Sequence, residues 1–254
     1  MELIDGVPPS PADLRALAFA GLGHFTTVRV HRGGVRGLEK HLDRLVADCH
    51  ALFDVSLDPD LVRLRIREAI ADEPESVIVR ITLFDPALTL ERPGTDASPR
   101  ILVSPRPAPV GAPTPLRVRS TVFGRQDPEI KHTGLFGALY ERRLAQRAGY
   151  DDAVFVDANG QLSEGPTWNI GFVRDGDIVW ADGDALAGVT QALIGGASET
   201  VTLDDLPGMA AAFATGSGAG IRPIASIDEH VWSTDHPAFD RIREAYAAVP
   251  FETV

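Results

Sequence analysis

The chain reads as an α+β protein built from two domains, and three observations predict this. Segments of strand period and helix period are mixed in both halves, without a regular βαβ alternation. The stretch Pro105-Arg106-Pro107-Ala108-Pro109-Val110-Gly111-Ala112-Pro113-Thr114-Pro115 holds five prolines, which remove backbone donors and fix φ. The chain has 254 residues, against roughly 150 for a typical single domain. The expected plan is a smaller N-terminal domain over 1–105, a proline-rich connector over 106–115 and a larger domain over 116–254.

In the first domain, residues 3–8 read as a short strand and turn. Ser10 and Pro11 mark a helix start, as N-cap and first helical residue. Phe25–Val30 is rich in β-branched residues and reads as a strand, and Arg32-Gly33-Gly34 turns it back into Val35. Residues 37–53 form the clearest helix, with Leu38, Leu42, Leu45, Val46, Cys49, Leu52 and Phe53 at spacings of three and four. A second helix over 58–71 would bury Leu61, Leu64, Ile66 and Ile70. Strands follow over 76–83 and 100–104.

After the connector, 116–122 reads as a strand and 133–148 as a helix ending at Gly149. A strand over 152–157 runs into the Asn159-Gly160 turn. Strands over 170–173 and 177–180 form a hairpin around Asp175-Gly176. Gly188-Val189-Thr190 opens a helical stretch, 211–214 and 221–224 are strands, and a helix over 238–248 follows.

Composition narrows the function. Lys plus Arg is 24 and Asp plus Glu is 36, a net charge of −12, which argues against a broad nucleic-acid partner. No apolar run approaches the roughly 18 residues of a membrane helix. The segment Met1-Glu2-Leu3-Ile4-Asp5 reads as no signal peptide, so the cytoplasm is the simplest expectation. A single cysteine, Cys49, and scattered histidines predict no metal site. There is no Gly-x-Ser-x-Gly elbow or phosphate loop, and Gly216-Ser217-Gly218-Ala219-Gly220 has the wrong spacing for a dinucleotide. Only Lys40 and Lys131 are lysines, so primary-amine chemistry has two side chains to draw on.

Lys131 belongs to an ordered set of segments. Gly23-His24-Phe25-Thr26-Thr27-Val28-Arg29-Val30 comes first, then His41-Leu42-Asp43-Arg44-Leu45. Asp127-Pro128-Glu129-Ile130-Lys131-His132 follows, then Ser163-Glu164-Gly165-Pro166-Thr167-Trp168-Asn169, then Leu186-Ala187-Gly188-Val189-Thr190. This set resembles the class IV, or fold-type IV, aminotransferases that use pyridoxal phosphate. That family includes branched-chain and D-amino-acid aminotransferases and aminodeoxychorismate lyase. The resemblance implies the two-domain fold-type IV architecture, with the cofactor between the domains, and a homodimer whose partner completes each pocket. It implies amino-group transfer between an amino acid and a 2-oxo acid.

By that resemblance, Lys131 is the Schiff-base lysine and the base at the substrate α-carbon. Glu164 faces the pyridine nitrogen, and Asn169 orients its turn. Arg44 reaches the phosphate, which Val189, Thr190 and Ser217 cradle. Lys40 stays a surface lysine. His24, Arg29 and Arg125 are candidate substrate contacts, the arginines as carboxylate clamps. The chain departs from the family's branched-chain enzymes at Phe136, where they often have a tyrosine, and from the family at Gly171 and Gln191, where an aromatic residue and an arginine are common. Two other readings stay open. One is a lyase of the aminodeoxychorismate type that releases pyruvate, toward which Thr26-Thr27 leans. The other is a non-catalytic binding protein that keeps the fold.

Overall fold

The structure is a computed structural model that describes residues 1–19 and 21–254. Its elements in chain order begin with β1 (Leu3–Ile4), α1 (Pro11–Phe19), β2 (Gly23–His31), β3 (Gly34–Arg36), α2 (Leu38–Phe53), α3 (Pro59–Ile70), β4 (Ser76–Phe84) and β5 (Arg100–Pro107). Next come β6 (Leu116–Val122), α4 (Phe136–Arg147), β7 (Asp152–Val156), β8 (Glu164–Gly165), β9 (Trp168–Arg174) and β10 (Asp177–Ala181). They are followed by α5 (Val189–Ile194), β11 (Ala197–Glu199), a 3₁₀ turn (Leu203–Gly208), β12 (Ala211–Gly216), β13 (Gly220–Ile227), β14 (His230–Val231), α6 (Ala238–Ala248) and β15 (Phe251–Thr253).

The chain divides into two compact units. The first comprises Met1–Pro109, Ile130–Gly134 and Pro250–Val254, and the second Val110–Glu129 and Leu135–Val249. The connector expected over 106–115 therefore spans the first crossing. Two further pieces, one of them carrying Lys131, join the N-terminal unit although they lie far down the chain.

The first unit is an antiparallel sheet in the order β1-β5-β4-β2-β3-β15. Strand alternation sends Val28 and Val30 of β2 and Val77, Val79, Ile81 and Leu83 of β4 into one core with Leu38, Leu42, Leu45 and Cys49 of α2. The other face of these strands carries Phe25, Thr27 and Arg29, Arg80 and Thr82, and Ser104 and Arg106. Arg32 and Gly33 both take positive φ, which suits the tight β2–β3 turn. Ser10 caps α1 reciprocally, its Oγ accepting from the Asp13 N–H while Asp13 Oδ2 accepts from the Ser10 N–H.

Three local expectations are corrected. In α3 the buried residues are Val62, Ile66 and Ala69, while Leu61 and Leu64 are 37% and 40% exposed. The helix presents its i, i+4, i+7 row to the core, one step round from the leucines. β5 continues through Pro105 and Pro107, where it pairs with β4 alone, because β1 covers only Leu102 and Val103. The helix expected from Thr133 begins at Phe136. The preceding backbone is used elsewhere: Phe25 N–H donates to Lys131 O and Thr133 N–H to Gly23 O.

The second unit is a mixed sheet in the order β11-β10-β9-β12-β13-β6-β7, with β8 beside β9 and β14 beside β13. β6, β7 and β13 run parallel, as do β10 and β11, and the remaining pairs are antiparallel. One face buries Phe172, Ile170, Ala212, Ile224 and Trp232. The other packs Trp180, Phe213 and Ile221 against Phe239 and Ile242 of α6. Gly171 lies between the rings of Phe213 and Trp180, and a Cβ there would stand 2.8 Å from Trp180.

Candidate active site

The expected site residues fall into two clusters, one in each unit. In the first unit, residues 131–133 lie along the edge of β2 that the short strand β3 leaves open. Lys131 O accepts from Phe25 N–H at 2.9 Å, Thr133 N–H donates to Gly23 O at 2.7 Å, and His24 bridges His132. Lys131 N–H donates to Asp48 Oδ2 at 3.1 Å. The Lys131 ammonium nitrogen stands 5.0 Å from the centre of the Phe25 ring. The Arg80 guanidinium stacks over the same ring at 3.6 Å. Burial and the nearby Arg106 hold Arg80 below the ordinary arginine value. Arg80 was missed in the sequence because nothing local in Val79-Arg80-Ile81 marks it. Only the β2–β4 register, with Thr27 opposite Arg80, brings it to Phe25.

On the helix side of β2, α2 presents His41, Arg44 and Asp48 at i, i+3 and i+7. Arg44 Nη2 donates to Thr26 Oγ1 at 2.7 Å and lies 3.3 Å from His41 Nδ1. Thr26 Oγ1 and His41 Nδ1 are 2.7 Å apart. Arg44 can only donate, so the Thr26 hydroxyl accepts from it and gives its own proton to Nδ1, leaving His41 neutral with its proton on Nε2. Burial, then the charges of Arg44 and Lys131, push His41 down to about 3. Burial holds Arg44 below its usual value, and Asp48 acts against that.

His24 is fully buried, its ring 5.7 Å from that of Phe53. Burial pushes it down to about 4, and neither ring nitrogen has a hydrogen-bond partner among the described residues. Arg29 is exposed and its Nε donates to Ser76 Oγ, toward the far end of β2 from Phe25.

In the second unit, Glu164 begins β8 and is buried. Its Oε2 accepts from Leu186 N–H at 3.2 Å, and Arg125 Nη1 lies 3.4 Å from its Oε1. The side chains of Arg125 and Glu164 are only 8% and 5% exposed, and Arg125 Nη2 also donates to Pro128 O. Arg125 is thus placed on the glutamate rather than set out as a carboxylate clamp. Asn169 Nδ2 donates to Leu186 O at 2.7 Å, so Glu164 and Asn169 grip both sides of one peptide residue just before α5. Gly188 caps α5 in extended conformation, and Val189 and Thr190 form its buried first turn. Thr190 Oγ1 and Ser217 Oγ are 3.2 Å apart.

The second cluster has the chemistry of an anion site. The first N–H groups of α5 have no partner within the helix. Two hydroxyls flank them, and Thr215 Oγ1, buried in the strand leading to Ser217, has no partner among the described residues. A Cβ on Gly188 would overlap Asn169 Oδ1, so the chain in front of the turn is held close. A phosphate fits these donors, and a buried carboxylate beside them suits a protonated ring nitrogen. Among the described residues no group of His, Cys, Asp or Glu could hold a metal ion. None of their helices is long and apolar enough to cross a membrane.

A family model described as amino-transferase class IV matches residues 23–227. A Rickettsia felis protein named "Probable branched-chain-amino-acid aminotransferase" is 25% identical over 250 residues, covering 89% of this chain and 85% of that protein. The structure of a branched-chain aminotransferase from Thermoproteus uzoniensis, determined with norvaline, superposes with a TM-score of 0.83 at 22% identity, over 97% of this chain and 93% of that one. A Legionella pneumophila structure described as "Putative 4-amino-4-deoxychorismate lyase" gives 0.77 at 21% identity, over 94% of each chain. At these identities the structural likeness speaks for the fold.

Proposed function

Because the chain belongs to the class IV aminotransferase family, we propose that it moves an amino group between an amino acid and a 2-oxo acid. The family uses pyridoxal phosphate. That group, when bound, supplies a carbonyl for the amino group and a ring that takes up electrons from the α-carbon. The observation that carries the reading is the pairing of Lys131 and Arg80 over one ring: an amine 5.0 Å and a guanidinium 3.6 Å from the centre of Phe25.

Each residue then has a role its surroundings support. The Lys131 amine holds the cofactor and moves the proton at the α-carbon. Arg80, unable to lose its charge, holds the substrate carboxylate beside that amine, and the repulsion of nearby Arg106 favours an anion there. The Val189 and Thr190 N–H groups and Ser217 are phosphate donors in this reading, and Arg44, held by Thr26 and His41, is the phosphate arginine that the family resemblance implies. Glu164 keeps a proton on the ring nitrogen, with Arg125 offsetting its charge. Asn169 sets the turn. The names of the relatives suggest branched-chain amino acids as donors.

A homodimer is part of this reading. Phe136, Leu139, Tyr140 and Leu144 form an exposed apolar row on α4, with Phe136 82% exposed and stacked on Tyr140 at 5.7 Å. A second copy is the covering partner we propose.

The test is a visible spectrum of the protein given pyridoxal phosphate, beside Lys131→Ala. A band that borohydride bleaches, absent from the variant, is the expected result. Amino acid and 2-oxo acid pairs then separate transfer from the lyase reading, which would instead release pyruvate with no acceptor present. No band in the unaltered protein would overturn the proposal.

A further inference from the structure

The α2 face that carries His41 and Arg44 also carries Asp48, and the roles above leave this carboxylate unused. Asp48 is 5% exposed, with Leu45 and Cys49 beside it fully buried. An ionised carboxylate loses much hydration in such a place, so it needs specific partners. Its partners include the Lys131 N–H, 3.1 Å from Oδ2, and the positive charge of Arg44, whose proton affinity Asp48 raises.

The segment it touches is unusual. Ile130–Gly134 belongs to the first unit although the chain on both sides of it belongs to the second. Several bonds hold these five residues there. Two are the backbone bonds to β2, at Lys131 O and Thr133 N. A third is the Thr133 hydroxyl, which donates to Gly21 O at 2.9 Å and lies 3.2 Å from Gly23 O. Asp48 is an anchor that comes from a helix, and it acts on the lysine's own amide.

We propose that Asp48 is a positioning residue for Lys131. By accepting the Lys131 N–H it fixes the lysine backbone to the same helix that presents Arg44. One rigid element then sets the position of both the amine and the phosphate-binding guanidinium. The inference rests on the roles of Lys131 and Arg44 proposed above. Asp48 touches neither substrate nor cofactor in this scheme.

Asp48→Asn and Asp48→Ala separate the acceptor from the rest of the side chain, since Asn keeps a carbonyl oxygen for the amide and Ala does not. Hydrogen exchange of the peptide covering 130–134, in protein without cofactor, reads the anchor directly. Asp48→Ala should speed exchange at Lys131 about tenfold or more while exchange in β9 and β12 is unchanged, and Asp48→Asn should stay within about threefold of the parent. In the loaded protein, Asp48→Ala should slow single-turnover amino transfer about tenfold at saturating substrate, with Asn again close to the parent. Parental exchange in Asp48→Ala, or equal loss in both variants, overturns the proposal. A parent protein that shows the exchange pattern but forms no borohydride-sensitive band overturns the role of Lys131 and leaves Asp48 as the anchor of this segment.

Discussion

Gly188→Ala should separate phosphate binding from the rest of the fold. A Cβ at this position overlaps Asn169 Oδ1 and stands 2.9 Å from Asn169 Cγ, within a turn that Asn169 itself holds. To make room, Asn169 must swing away and lose its 2.7 Å bond to Leu186 O. A lost hydrogen bond that strands its buried partner costs about 1–3 kcal/mol. At about 2–4 °C per kcal/mol for a chain of this size, melting should fall by roughly 2–12 °C. The larger effect is on the anion. Leu186 and Gly188 lead directly into Val189 and Thr190, so their N–H groups move with the turn. A hydrogen bond to a charged group is worth about 1.5–3 kcal/mol, so loss of one weakens pyridoxal phosphate by about 10- to 100-fold. Titration followed by absorbance, with pyridoxal as the comparator lacking phosphate, measures this. Gly208→Ala, where a Cβ meets nothing within 4 Å, is the control. A Gly188→Ala variant that binds pyridoxal phosphate within about twofold of the parent would refute the reasoning. So would one that loses affinity equally for pyridoxal.

Arg80→Met keeps the stack on Phe25 but removes the charge. It should raise KM for amino and 2-oxo acids about 10- to 100-fold, while cofactor affinity stays at the parental value, as steady-state kinetics and titration would show. The buried histidines predict an acid-side loss of stability. His24 and His41 are held down to about 4 and about 3 in the folded chain, so below about 6.5 the unfolded chain binds the extra protons. Stability is complete above that value and falls with pH down through the folded values. Between pH 7.5 and 5.5 urea unfolding should lose about 3 kcal/mol, and His24→Phe should remove about half of that slope. A pH-independent midpoint over that range would contradict the burial of both rings. Phe136→Glu should shift a dimer toward monomer by light scattering, with the melting temperature little changed. An unaltered mass would place the partner face elsewhere.

Much of this molecule could be read along the chain because its local signals agree with its packing. The α2 pattern of Leu38, Leu42, Leu45 and Cys49 became a buried helix face, and Arg32-Gly33 and Asp175-Gly176 became tight turns with positive φ at both residues. Lys131, Glu164 and the Gly188-Val189-Thr190 turn are legible as candidates only through their ordered resemblance to the class IV aminotransferases, since each segment alone is ordinary. Only the folded chain could decide the rest, because those facts depend on register and burial between distant segments. β2–β4 pairing placed Arg80 over Phe25, while Arg29 on the same strand points to Ser76. The buried pairing of Arg125 with Glu164, and the burial of His24 on Phe53, have no local signature. Nor could periodicity show that Lys131–Thr133 would lie along β2 rather than start α4, since the bonds to Asp48, Phe25 and Gly23 reach residues more than 80 positions away. Short-range spacing determines which elements form. Which side chains meet is settled when backbone donors and buried charges find partners across the fold.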